Sequence, residues 1–130
     1  MNAMSSANAY KTQQVLTASK EELTLMLYNG AIRFANESIQ ALEGGDLEKA
    51  NNANLKVQNI VKEFMSTLDM QYEISRQLYL LYDYLEYRLI QANINKDKEM
   101  VLEARDMLSE LRDAWYQAMA QTRMATAVGK

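Results

Sequence analysis

The stretch that decides the fold is Tyr72–Ile94, YEISRQLYLLYDYLEYRLIQANI, with five tyrosines: Tyr72, Tyr79, Tyr82, Tyr84 and Tyr87. Wound at about 100° per residue, it makes a helix with a surplus of apolar surface. Ile74, Leu78, Leu81, Leu85, Leu89 and Ala92 share one stripe, enough to seal a core. Tyr72, Tyr79, Leu80, Tyr87, Ile90 and Ile94 share another on roughly the opposite side, with Asp83 among them. A surface helix of a small domain needs one apolar face. The second face asks for a partner.

The same test applied outward gives three more helices. Ser19-Lys20-Glu21-Glu22 is a capping box, and Gly44-Gly45 ends the helix that starts there. Along that helix Leu23, Met26, Leu27, Gly30 and Phe34 make one stripe. Leu25, Tyr28, Ile32, Ile39 and Leu42 make a second, with Ala31 and Ala35 between them. The apolar arc is about 200° wide, against the roughly 100° a core-facing helix requires. Asp46 is a plausible cap for Leu47–Leu68, whose apolar face is Leu47, Ala50, Ala53, Val57, Ile60, Val61, Phe64 and Leu68. Leu55 falls on its polar side. Asp69-Met70-Gln71 is a tight helical hairpin, and Asp97 caps a last helix running to about Gln121. Its stripe contains Val101, Ala104, Leu108, Leu111, Trp115, Ala118 and Met119. The expectation is an all-α, antiparallel four-helix bundle over residues 19–121. A short mobile N-terminal segment (1–18) precedes it, and a frayed tail (122–130) follows.

Composition agrees and removes whole classes of function. Proline is absent and glycine occurs 4 times in 130 residues, which leaves an all-β fold without turn residues. There is no Cys and no His, so disulfides, thiolate or imidazole metal sites, His-phosphotransfer and the Glu-x-x-His di-iron bundle all fall away. The net charge of −3 opposes non-specific nucleic-acid binding. Apolar runs are too short to span a bilayer, and MNAMSSANAYKTQQ lacks the features of a secretory signal, so a cytoplasmic location is expected. No phosphate loop or nucleophile–base pair appears, so neither catalysis nor a cofactor is expected. Glu99, Glu103, Asp106 and Glu110 read as a solvated face with Arg105 and Arg112 as partners.

The residues also carry a resemblance. AYKTQQVLTASKEELTLMLYNGAIRF is similar to the N-terminal signature of the flagellin export chaperone family, FliS. LDMQYEISRQLYLLYDYLEYRLIQAN resembles its third long helix, and DMLSELRDAWYQAM its last, so the likeness extends over roughly residues 9 to 120. One departure is visible: Ser19-Lys20 stands where the family often has Ser-Pro, a difference confined to the pre-organisation of a first turn. The resemblance implies a cytosolic antiparallel bundle that binds the disordered C-terminal segment of flagellin, prevents premature polymerisation and aids delivery to the flagellar type III export apparatus. Components of that apparatus are then further partners, and the chain's own N-terminal segment is a lid over part of the site.

Periodicity and resemblance together nominate a partner-binding set: Tyr10, Val15 and Leu16 on the arm; Leu25, Tyr28 and Ile32 on the first long helix; Tyr79, Leu80, Asp83, Tyr87 and Ile90 on the third. The competing reading is a bundle that self-associates through these faces, as a weak homo-oligomer instead of a monomer, or a regulatory adaptor for another amphipathic helix.

Overall fold

A computed structural model describes residues 18–128, without the side chains of residues 123 and 125–128. It contains four helices: α1 (Lys20–Glu43), α2 (Leu47–Thr67), α3 (Glu73–Asn95) and α4 (Lys98–Val128). Their starts are local chemistry. The Glu22 amide donates to Ser19 Oγ (3.1 Å), the Lys49 amide to Asp46 Oδ1 (3.1 Å), and the Glu99 amide to Asp97 Oδ1 (2.9 Å). Each short acceptor satisfies an amide that the first turn leaves free. α1 ends in a Schellman turn. Gly45 takes φ +77°, its amide donates to the Leu42 carbonyl and that of Asp46 to the Ala41 carbonyl. α4 runs past Gln121 to Val128. Periodicity stops there, but Thr122–Val128 holds two alanines and no Gly or Pro, and propensity carries the helix on.

Cross-helix contacts set the register. Ser38 Oγ donates to the Ala50 carbonyl between α1 and α2. Asn54 Nδ2 donates to the Leu89 carbonyl, and Asn93 to Asn51, between α2 and α3. Arg105 donates to Asn36, and Trp115 Nε1 to the Glu21 carbonyl, between α4 and α1. Every helix therefore runs antiparallel to its neighbours in a closed ring, with α1 diagonal to α3. The start of α1, the α2–α3 connection and the later half of α4 share one end of the bundle.

The wide apolar arc of α1 is used by the bundle itself. Ala31 and Ala35, fully buried, lie at its centre, and the two stripes are its shoulders. One shoulder faces α2: Gly30 lies against Ile60, and Lys56 sits over the Phe34 ring. The other lies on the side where Asn36 and Asn29 accept from Arg105 and Arg112 of α4. Small residues in the middle allow close approach, and large ones on both flanks fill the space beside two neighbours.

On α3 the helix is rotated from the sequence expectation by about 40°, taking 100° per residue. Ser75, Tyr82, Leu85, Leu89 and Ala92 are buried, whereas Ile74 is 61% and Leu81 42% exposed. The cause is Tyr82. Its ring stacks on Phe64 (5.4 Å between centroids) and its hydroxyl shares a 2.6 Å hydrogen bond with that of Tyr28 across the bundle. Tyr28 also packs on Phe64 at 4.4 Å. One hydroxyl donates and the other accepts, so neither buried oxygen lacks a partner, which makes two phenols acceptable in an apolar core. Leu55 is exposed as its phase requires, and Leu111 packs against the core half-buried.

Burial raises the pKa of both Tyr28 and Tyr82 above the ordinary phenol value. With a folded pKa above the unfolded one, the native state holds protons that the unfolded chain releases. Their stabilising effect is complete below pH of about 10 and is lost as pH rises further. In an alkaline titration, the phenolate absorbance of this pair should therefore appear together with the loss of helical circular dichroism. Complete ionisation of all eight tyrosines with the helical signal intact would contradict their burial.

Candidate functional site

With the core stripe of α3 turned inward, its outer surface is left uncovered along most of the helix. Tyr72, Tyr79, Leu80, Tyr87 and Ile94 are all exposed, Leu80 at 69% and Tyr87 at 56%. A shallow groove of about 410 Å³ runs along this face, lined by Leu80, Asp83, Tyr84, Glu86, Tyr87 and Ile90. Asp83 occupies the middle of the face at helical spacing from Tyr79, Tyr87 and Ile90. It is exposed and has no hydrogen-bond or ion-pair partner among the described residues.

The rims of the groove are braced. On the α4 side, Glu103 accepts from the Tyr84 hydroxyl and from Arg88 (2.6 Å). These bonds, the tyrosine's first, hold the Glu103 carboxyl below its ordinary pKa, and the same contact raises Tyr84. Such an exposed pair adds little stability. Its use is positional, because it anchors the outer end of Tyr84 and so fixes that ring as a wall. On the α2 side, Glu86 faces Lys62 at 3.9 Å. Arg88 Nε is buried with no hydrogen-bond partner among the described residues.

Of the nominated residues, the structure brings together Tyr79, Leu80, Asp83, Tyr87 and Ile90. Tyr28 does not join them: at 3% exposure it is part of the core, held there by Tyr82 and Phe64. Leu25 and Ile32 are half-buried on α1, at the opposite corner of the ring, so they form no continuous surface with α3. Tyr10, Val15 and Leu16 lie outside the described residues. Sequence reasoning missed Tyr84 and Glu86 as groove walls. The signal for Tyr84 was present in the five-tyrosine run, but its position depends on Glu103 from another helix. A second groove, of about 480 Å³, lies between the start of α1 and α4, where Ser19, Glu21 and Glu22 face Trp115, Ala118 and Met119.

No group of His, Cys, Asp and Glu side chains among the described residues could hold a metal ion, and no helix there is long and apolar enough to cross a membrane. Fold and face define a class: a four-helix bundle with a row of exposed apolar side chains along one helix. The chain belongs to the FliS family, whose model, described as Flagellar protein FliS, matches residues 3–122. It is 43% identical over 115 residues to the flagellar secretion chaperone FliS of Bacillus subtilis, covering 88% of this chain and 86% of the relative. To its counterpart in Salmonella typhimurium it is 35% identical over 106 residues, with 79% and 78% covered. To that of Escherichia coli it is 28% identical over 112 residues, with 81% and 79% covered. FliS is a family of chaperones, not of enzymes.

Proposed function

We propose that this chain is a flagellin export chaperone of the bacterial cytosol. It binds the disordered C-terminal segment of flagellin, prevents premature polymerisation and aids delivery to the flagellar type III export apparatus. The observation that carries the reading is the row on α3 formed by exposed Tyr79, Leu80 and Tyr87 with half-buried Ile90. Amphipathic segments that would otherwise pair with one another find on this row an apolar surface of the same helical period. Ordering a disordered segment costs free energy, so the buried surface must be large. A client long enough to wrap the bundle would use the α3 face as its main station and only the solvent-facing edges of half-buried Leu25 and Ile32 on α1 as another. Tyr28 supports the fold beneath them without touching the client. Delivery implies a further contact with export-apparatus components.

The arm is the regulatory part of the proposal. Tyr10, Val15 and Leu16 are apolar anchors in a polar context, suited to a lid that competes with flagellin. A lid reduces apparent affinity by the closed fraction. The test is calorimetric titration of the full chain, and of a chain starting at residue 18, with a C-terminal fragment of flagellin. Binding by both is expected, tighter for the shortened chain, with nearly equal melting temperatures. No binding to the full chain overturns the proposal, and equal dissociation constants remove the lid. Light scattering without the fragment separates self-association from client binding.

A further inference from the structure

Resting on the reading of the α3 face as the client surface, we infer that Asp83 selects the client's register. It does so by receiving a lysine or arginine that the flagellin segment carries between apolar anchors at helical spacing. Three observations carry this. Asp83 stands at the centre of an otherwise apolar row, two or more turns from either end of α3. It has no partner within the described residues. The basic groups beside the face are engaged elsewhere: Arg88 with Glu103, Lys62 opposite Glu86, and Arg76 with the Met70 carbonyl.

An apolar segment laid across an unpaired carboxylate would strip its water and return nothing, which would cancel much of the gain from Tyr79, Leu80, Tyr87 and Ile90. A cation in the segment removes that cost and adds a charge-assisted hydrogen bond. Glu86, on the α2 rim of the same groove, already faces Lys62, so Asp83 is the lining carboxylate left for an incoming cation. The groove is thus complementary to a segment with apolar residues on both sides of one positive side chain. Because the wrong register sets an apolar group on Asp83, the carboxylate discriminates more than it attracts.

The test is a double-mutant cycle with a flagellin C-terminal fragment. Asp83→Asn keeps the shape and removes the charge. Each Lys or Arg of the fragment is changed in turn to Gln. Asp83→Asn should weaken binding by about tenfold and flatten its salt dependence, the size expected for a hydrogen bond to a charged group at a desolvated contact. One of the fragment's substitutions should cause a similar loss, with no further loss when the two are combined. Unchanged affinity, tighter binding, or a loss coupled to no basic residue overturns the assignment. Tyr87→Ala serves as the reference. If it weakens binding while Asp83→Asn does not, only the role of Asp83 falls. If neither matters, the client surface itself is elsewhere and both readings fall.

Discussion

Leu85→Ala is expected to lower the free energy of unfolding by about 2–5 kcal/mol, and Leu81→Ala by less than about 1 kcal/mol. The two leucines are one turn apart on α3, and hydrophobic spacing alone gives them the same stripe. In the structure Leu85 is fully buried and Leu81 is 42% exposed. Removing the Leu85 side chain forfeits its transfer free energy and leaves a cavity in the buried core, which the helices cannot close without moving together. Removing Leu81 shortens a side chain already half in water. Urea denaturation monitored by circular dichroism compares them directly. Equal losses would mean that α3 is phased in solution as its leucines suggest, and that Tyr82 does not hold the rotation.

The contrast marks where sequence reasoning stops. Helix number and starts were legible because they depend on nearest neighbours: Ser19, Asp46 and Asp97 each cap within three residues. Phase is a tertiary property. Tyr82 is inside because Tyr28, 54 residues away, supplies the hydrogen-bond partner that its buried hydroxyl needs. Nothing in the local pattern ranks Tyr82 above Tyr79 or Tyr87. The breadth of the apolar arc on α1 is ambiguous for the same reason, since a client and two flanking helices ask for the same side chains. Only the ring order, with α1 against both α2 and α4, separates them.

The outer face of α3 was legible by a more robust route. Whatever the fine rotation, residues near 180° from any core stripe stay outside, and Tyr79, Leu80, Asp83 and Tyr87 tolerate a 40° error that Leu81 does not. The braces at its rim were not legible. Glu103 reads from the sequence as one of four carboxylates on a solvated face of α4, yet it bonds Tyr84 and Arg88 across to α3. Short-range pairing of Arg105 with Asp106 and of Arg112 with Asp113 does occur, but these arginines also reach α1.

Tyr87→Ala and Tyr79→Ala should each weaken flagellin binding by about 2 kcal/mol, roughly thirtyfold in dissociation constant, while leaving the melting temperature almost unchanged. Both rings are exposed in the free protein, so truncation removes little native packing. A tyrosine that a client covers loses its hydration on the ring and keeps its hydroxyl at the edge, which is why such residues dominate binding energies. Tyr28→Ala is the opposite case. It should cost about 3–5 kcal/mol of stability, as large aromatic truncations in cores do, because it empties the space against Phe64 and strands the Tyr82 hydroxyl. Its effect on binding should be no larger than its effect on folding. Paired melting curves and titrations with the flagellin fragment place each variant on one of these two lines. A Tyr87→Ala protein that binds normally but melts early would put Tyr87 in the core, and would leave α3 with no face to offer a client.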